Sequence, residues 1–74
     1  MMISASWAQR GDWKALYEKG EAAHNAGNHK TALEYLNQSV KENPSFPDAY
    51  FTRAAIREQL KDLQGANTDY NIYL

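Results

Sequence analysis

Apolar residues recur at the three- and four-residue spacing of an α-helix along most of this chain, and short turns interrupt the pattern. The turns are Gly27-Asn28, Asn43-Pro44 and Lys61-Asp62. Glycine and asparagine tolerate a left-handed backbone, and proline cannot continue a helix. Helices joined by such short turns pack as antiparallel neighbours. The pattern therefore predicts an all-α protein with four consecutive helices.

Local signals place the helix boundaries. Asp12 precedes the first apolar stripe, and its carboxylate is expected to cap the free backbone N–H groups of the first turn. The second helix is predicted to run from about His29 to Glu42, and the fourth to begin near Leu63 or Gln64. The predicted core face of the first helix comprises Trp13, Leu16, Gly20, Ala23 and Gly27, widened by Ala22 and Ala26.

The third helix carries a combined start signal. Ser45 is predicted to be its N-cap, with Pro47 in the first turn and Asp48 completing a capping box. The chain also contains eleven alanines and one valine. Alanine is the best helix former and β-branched residues favour strands, so this composition supports the all-α prediction.

Length and charge exclude several functional classes. A chain of 74 residues permits one small domain, and the absence of cysteine excludes disulfides, zinc fingers and thiol nucleophiles. The formal net charge of −1 argues against electrostatic capture of nucleic acid and against a polybasic membrane anchor. No apolar run reaches the roughly 20 residues that span a bilayer, and no signal peptide is apparent, so we expect a cytoplasmic protein.

The chain repeats itself weakly with a period of about 34 residues, a length found among α-helical repeat proteins. Sliding the sequence by one period brings identical residues together at Ala15 and Ala49, Ala32 and Ala66, and Asn37 and Asn71. Residues of the same class also coincide: Leu16 with Tyr50, Gly20 with Ala54, and Leu36 with Tyr70. Two helices in each period are typical of such repeat proteins.

These residues resemble the tetratricopeptide repeat (TPR) family. In the first helix of its repeat, this family has a large apolar residue and, one turn later, a small residue. Leu16 and Gly20 match this pattern in the first repeat, and Tyr50 and Ala54 match it in the second. The family also has an alanine, then a bulky residue, and a closing proline in the second helix of the repeat. In the first repeat these are Ala32, Leu36 and Pro44. In the second repeat Ala66 and Tyr70 match the alanine and the bulky residue. The resemblance implies two antiparallel helix-turn-helix repeats that form a short right-handed α-solenoid.

The same resemblance divides the chain into three parts. Residues 13–46 are the first repeat, residues 47–74 are a second repeat truncated at its C-terminal end, and residues 1–12 are an N-terminal segment. Trp7 and Trp13 are two aromatic residues that would cover the open first face as a cap, and the alternative is a disordered segment. Tyr73 stands where the family prefers alanine, so its bulk predicts a splayed or exposed last turn.

TPR proteins bind partners through a concave face lined by the first helix of each repeat, which implies a protein-interaction module. The matching positions are Lys14, Tyr17, Glu18, Glu21, His24, Asn25, Asp48, Phe51, Thr52, Ala55, Glu58 and Gln59. This set is acidic with two aromatic rings, so we expect a basic and apolar peptide or protein segment as partner. Tyr17, Glu21, Phe51 and Glu58 are the predicted principal contacts. The alternative is that these are ordinary solvated helix faces.

Other ligand classes fit the sequence poorly. Some TPR proteins clamp a C-terminal carboxylate, but Tyr17, Glu21 and Thr52 at the matching positions cannot form that clamp. His24 and His29 are five residues apart and lack the spacing of a helical metal site, so we expect no metal and no cofactor. No catalytic constellation or phosphate-binding loop stands out, and we expect no enzymatic activity.

The last helix places apolar residues where repeat proteins normally present a polar face. Tyr70, Tyr73 and Leu74 therefore predict self-association, with a two-fold homodimer as the symmetric arrangement. One alternative is that the chain is a fragment of a longer TPR array. Another is a purely structural assembly or dimerisation element with an unused groove. A DNA-binding helix-turn-helix is a weaker alternative, because its recognition surface would be too acidic.

Overall fold

The computed structural model describes residues 12–74, which form four α-helices and no strand. They are α1 (Trp13–Asn25), α2 (His29–Glu42), α3 (Pro47–Gln59) and α4 (Leu63–Tyr73). α1 packs on α2, α3 packs on α4, and α2 and α3 join the two hairpins. The prediction of an all-α fold built from two helical hairpins is confirmed. The predicted cap containing Trp7 lies outside the described residues.

The two turns within the hairpins have the same geometry. Gly27 has φ +85°, and Lys61, at the equivalent position of the second hairpin, has φ +68°. In each turn the next residue donates its backbone N–H to a carbonyl five residues earlier at 2.8 Å: Asn28 to Ala23, and Asp62 to Arg57. Asn28 itself has φ −89°, so Gly27 alone supplies the left-handed backbone of the first turn.

Two of the predicted helix caps are wrong. Asp12 precedes α1, but its side chain makes no capping hydrogen bond; only its carbonyl accepts from Leu16 N–H, at 2.8 Å. Phe46, not Ser45, is the N-cap of α3, because the helix begins one residue later than predicted, at Pro47. Ser45 lies in the preceding turn, where its N–H donates to Asn43 Oδ1 at 3.2 Å. Pro47 opens α3 as predicted.

The core lies at the contact between the two hairpins. Ala32 and Leu36 of α2 and Ile56 of α3 are completely buried. The partly buried side chains packed around them are Tyr17, Ala23, Leu33 and Leu60. The core is therefore shared by the two hairpins and fixes how they sit against each other.

The buried face of α1 is narrower than its sequence pattern suggests. α1 approaches α2 closely at Gly20, where an added Cβ would lie 2.9 Å from Leu36 Cδ2. Ala22, Ala26 and Gly27 are exposed, so their predicted place on the α1 core face is wrong.

Candidate functional site

Tyr17 lies at the junction between the first helices of the two hairpins. Its hydroxyl donates to Glu21 Oε2 at 2.8 Å and lies 3.5 Å from the Thr52 hydroxyl of α3. The Phe46 ring meets the Tyr17 ring edge-on at 5.0 Å and also packs on Trp13 at 4.8 Å. These contacts bring α1 and α3 side by side, so the predicted groove residues Tyr17, Glu21 and Thr52 do lie together.

The environment of Tyr17 favours its neutral form. Burial raises the pKa of the Tyr17 hydroxyl above its ordinary value, and the Glu21 carboxylate raises it further by accepting a hydrogen bond and by its charge. The Thr52 hydrogen bond acts on this pKa in the opposite direction. At neutral pH the hydroxyl is therefore a donor that is already engaged by Glu21.

Phe51 belongs to an exposed aromatic cluster with Tyr70 and Tyr73 of α4. Phe51 is 47% exposed, and its ring lies 5.7 Å from the Tyr70 ring and 5.0 Å from the Tyr73 ring. The Tyr70 hydroxyl donates to Glu58 Oε1 at 2.9 Å, and this hydrogen bond raises the pKa of Tyr70. The structure thus joins two groups that sequence reasoning kept apart, the groove residues of α3 and the self-association residues of α4.

The remaining predicted groove residues are distributed unevenly. Thr52 is 8% exposed, which leaves its side chain little surface for a partner, and Ala55 is half-buried. The exposed members are Lys14, Glu18, Asn25, Asp48, Glu58 and Gln59. We call Tyr17, Glu21, Phe51 and Glu58 the α1–α3 strip, because they pair an aromatic ring with a carboxylate on each helix.

The two histidines meet across the first turn. His24 Nδ1 lies 3.3 Å from His29 Nδ1, and the ring centroids are 5.3 Å apart. One ring donates and the other accepts, which requires that at least one of them be neutral. Within residues 12–74, no three histidine or acidic side chains are grouped so that they could hold a metal ion.

Sequence reasoning missed Asp69, a completely buried carboxylate on α4. Arg53 donates to its two oxygens at 2.9 and 2.8 Å, and Arg57 donates to it at 2.9 Å. The two arginines are four residues apart on one face of α3, which is the signal that could have identified the site. The carboxylate links α4 to α3 and stabilises the position of α3, the helix that carries Phe51 and Glu58.

The described helices have no membrane-spanning character: none of α1–α4 is both long and apolar enough to cross a bilayer.

Comparison with known proteins identifies the first hairpin. Residues 13–46 match the family model described as the tetratricopeptide repeat. Over 38 residues the chain is 42% identical to an uncharacterized protein of Methanocaldococcus jannaschii, an alignment that covers 51% of this chain and 44% of that protein. The matched region thus spans less than half of the relative's length. No solved structure matches the chain.

Proposed function

We propose that this chain, whose residues 13–46 match the tetratricopeptide repeat family, is an interaction module whose α1–α3 strip binds a peptide. We further propose that residues 47–74 act as a second repeat, because α3 and α4 reproduce the hairpin and the turn geometry of α1 and α2. The family generally mediates protein–protein interaction, so the proposed mechanism is binding without a chemical step.

The observation that carries this proposal is the pairing of rings and carboxylates on adjacent helices. Tyr17 and Phe51 stand one repeat period apart, one on each first helix. Glu21 accepts from the Tyr17 hydroxyl, and Glu58 accepts from the hydroxyl of Tyr70, whose ring packs on Phe51. A rigid scaffold that presents aromatic surface beside fixed negative charge suits a segment with apolar and basic side chains.

The charge of the surrounding surface supports the same partner class. Among the predicted groove residues, Lys14 is basic, whereas Glu18, Glu21, Asp48 and Glu58 are acidic. Lysine and arginine side chains can pair with these carboxylates while their aliphatic stems cover the rings. Such contacts lie near the surface, so salt should weaken the binding.

The test is selection of peptides from a randomised display library on the immobilised chain. We expect selected peptides to combine lysine or arginine with aromatic or aliphatic residues. Phe51→Ala, Glu21→Gln and Glu58→Gln should each weaken their binding, whereas Glu34→Gln removes an exposed carboxylate of α2 and serves as control. Acidic peptides, or peptides that bind the Phe51→Ala variant as tightly as the wild type, would contradict the proposal.

A second candidate function is self-association through α4. It is favoured by the exposure of apolar side chains at this helix: 40% for Tyr73, 51% for Ile72 and 93% for Leu74. Apolar surface of this kind marks interaction sites in soluble proteins. Light scattering across a concentration series should show a mass that rises above that of one chain, and Tyr73→Glu should prevent the rise. A folded chain that stays monomeric at every concentration would exclude this function.

A further inference from the structure

The equivalence between the two hairpins extends to the contacts that join them. α3 covers the first hairpin through Ile56, which enters the core beside Leu36, and through Thr52, which lies against Tyr17. Arg53 Nη1 also donates to Asn37 Oδ1 of α2 at 2.9 Å. These contacts define how one hairpin receives the first helix of the next.

The second hairpin presents the equivalent receiving face, and no other described residue covers it. Phe51, Tyr70 and Asn71 stand one repeat period after Tyr17, Leu36 and Asn37. Phe51 and Asn71 are exposed and Tyr70 is half-buried, whereas Leu36 is completely buried beneath α3. The first hairpin thus shows what covers a face of this kind, namely the outer side of a first helix.

Among residues 12–74, nothing covers the equivalent outer side of α1. Ala15, Glu18, Lys19 and Ala22 of α1 stand one repeat period before Ala49, Thr52, Arg53 and Ile56 of α3. Ala49, Thr52 and Ile56 are buried, and Arg53 is half-buried. All four equivalents in α1 are exposed.

We infer that the outer side of α1 in one copy docks on the α3–α4 face of a second copy, head to tail. The inference rests on the proposed self-association and names its two surfaces. It differs from the two-fold arrangement expected from sequence, because α4 meets α1 rather than another α4. The contact repeats the hairpin-to-hairpin packing found within the chain.

Two residue pairs fit this arrangement. Lys19 of one copy falls opposite Asn71 of the other, as Arg53 does opposite Asn37, and its ammonium can donate to the amide oxygen. Tyr73 supplies the aromatic ring that α1 lacks, whereas Glu18 stands where α3 has the buried Thr52 and should weaken the contact. The Tyr73 ring lies 5.0 Å from Phe51, the separation at which Phe46 covers Tyr17, and α1 has Asp12 where α3 has Phe46. The ring that the incoming helix lacks is therefore already supplied by the receiving hairpin.

A head-to-tail contact does not close on itself, so further copies can add at either end of the assembly. A head-to-tail interface leaves one free face of each kind at the ends of every assembly. We expect the mass to rise beyond that of a dimer as concentration increases. We also expect weaker packing than within the chain, since Ala22 replaces the larger Ile56 and buries less apolar area.

The test uses full-chain variants that each block one face. Ala22→Arg places a long charged side chain on the outer side of α1, and Asn71→Arg places one on the receiving face, opposite Lys19. Both positions are exposed, so neither change should unfold the chain, which circular dichroism can verify. The controls are Asn25→Arg on α1 and Gln64→Arg on α4, also exposed but outside the equivalent contacts.

Light scattering then separates the outcomes. We expect Ala22→Arg and Asn71→Arg each to be monomeric, both controls to associate like the wild type, and an equimolar mixture of the two blocked variants to form a dimer and nothing larger. The mixture retains one intact face of each kind. Association of Ala22→Arg alone, or a mixture that stays monomeric, would overturn head-to-tail docking while leaving self-association intact. A wild type that never associates would overturn both, without bearing on peptide binding.

Discussion

Arg53 and Asp69 form a two-pronged ion pair between α3 and α4, with Nε and Nη2 donating to separate carboxylate oxygens at 2.9 and 2.8 Å. The Asp69 side chain is completely buried, and Arg57 donates to it as well. The equivalent residues of the first hairpin are Lys19 and Tyr35, with the ammonium 6.0 Å from the ring centre. Equivalent positions therefore join the two helices of each hairpin, through an ion pair in the second hairpin and a cation–π contact in the first.

Removing the carboxylate should destabilise the protein strongly. Asp69→Ala removes the buried acceptor that the Arg53 and Arg57 guanidinium groups share, and loss of one partner of a buried ion pair costs about 3–5 kcal/mol. Urea unfolding followed by circular dichroism measures the loss. Glu34→Ala, at an exposed carboxylate of α2, should change the free energy of unfolding by less than about 0.5 kcal/mol. Equal effects of the two substitutions would contradict a structural role for Asp69.

Replacing the whole ionic group should be tolerated better than breaking it. The triple variant Arg53→Lys, Arg57→Ala and Asp69→Tyr installs the residues that the first hairpin has at Lys19, Ala23 and Tyr35. We expect it to unfold at higher urea concentration than Asp69→Tyr alone, because the unpaired arginines are removed with the carboxylate. A triple variant less stable than Asp69→Tyr would show that the two hairpins are not interchangeable at this position.

Turn and proline residues in the sequence predicted the helices well. The features that sequence reasoning missed depend on contacts between helices. The bounds of α2 follow from the Gly27 turn and from Pro44, both of which act on their own backbone. Ser45 is not the cap of α3 because the helix begins at Pro47, which makes Phe46 the residue that precedes it. The burial of Asp69 and the joining of Phe51 to Tyr73 depend on where α4 lies against α3. Helical spacing alone does not fix that placement.

Glycine should be the favoured residue at the left-handed position of both hairpin turns. Gly27→Ala should lower the free energy of unfolding by about 1 kcal/mol, since Gly27 has φ +85° and a side chain is strained there. Lys61 already bears that strain at φ +68°, so Lys61→Gly should raise stability by up to about 1 kcal/mol. Thermal unfolding measures both changes. Lys61→Ala keeps the Cβ and tests the charge alone; if it stabilises as much as glycine, backbone strain is not the cause.

The aspartates that precede α1 and α4 should differ in their contribution to stability. The Asp62 side chain accepts the Gly65 N–H at 3.0 Å, and loss of such a cap costs about 1 kcal/mol. Asp12 makes no side-chain capping bond, so Asp12→Ala should cost much less. Asp62→Asn keeps the cap acceptor and removes only the charge that lies 3.7 Å from Arg57, and it should fall between the two. Chemical denaturation of the three variants provides the comparison.

Alkaline pH should destabilise the protein through Tyr17. Folding raises the pKa of its hydroxyl above the ordinary value of 10.0, so the stabilisation is fully present below that pH and is lost as pH rises through the folded pKa. Denaturant titrations at pH values below and above 10 should show a decline in the free energy of unfolding. Tyrosinate absorbance of the folded protein should show that Tyr17 ionises at a higher pH than an ordinary tyrosine. Tyr17→Phe cannot ionise there and should flatten the dependence, leaving the smaller contribution of Tyr70. An unchanged slope in Tyr17→Phe would mean that another group governs alkaline unfolding.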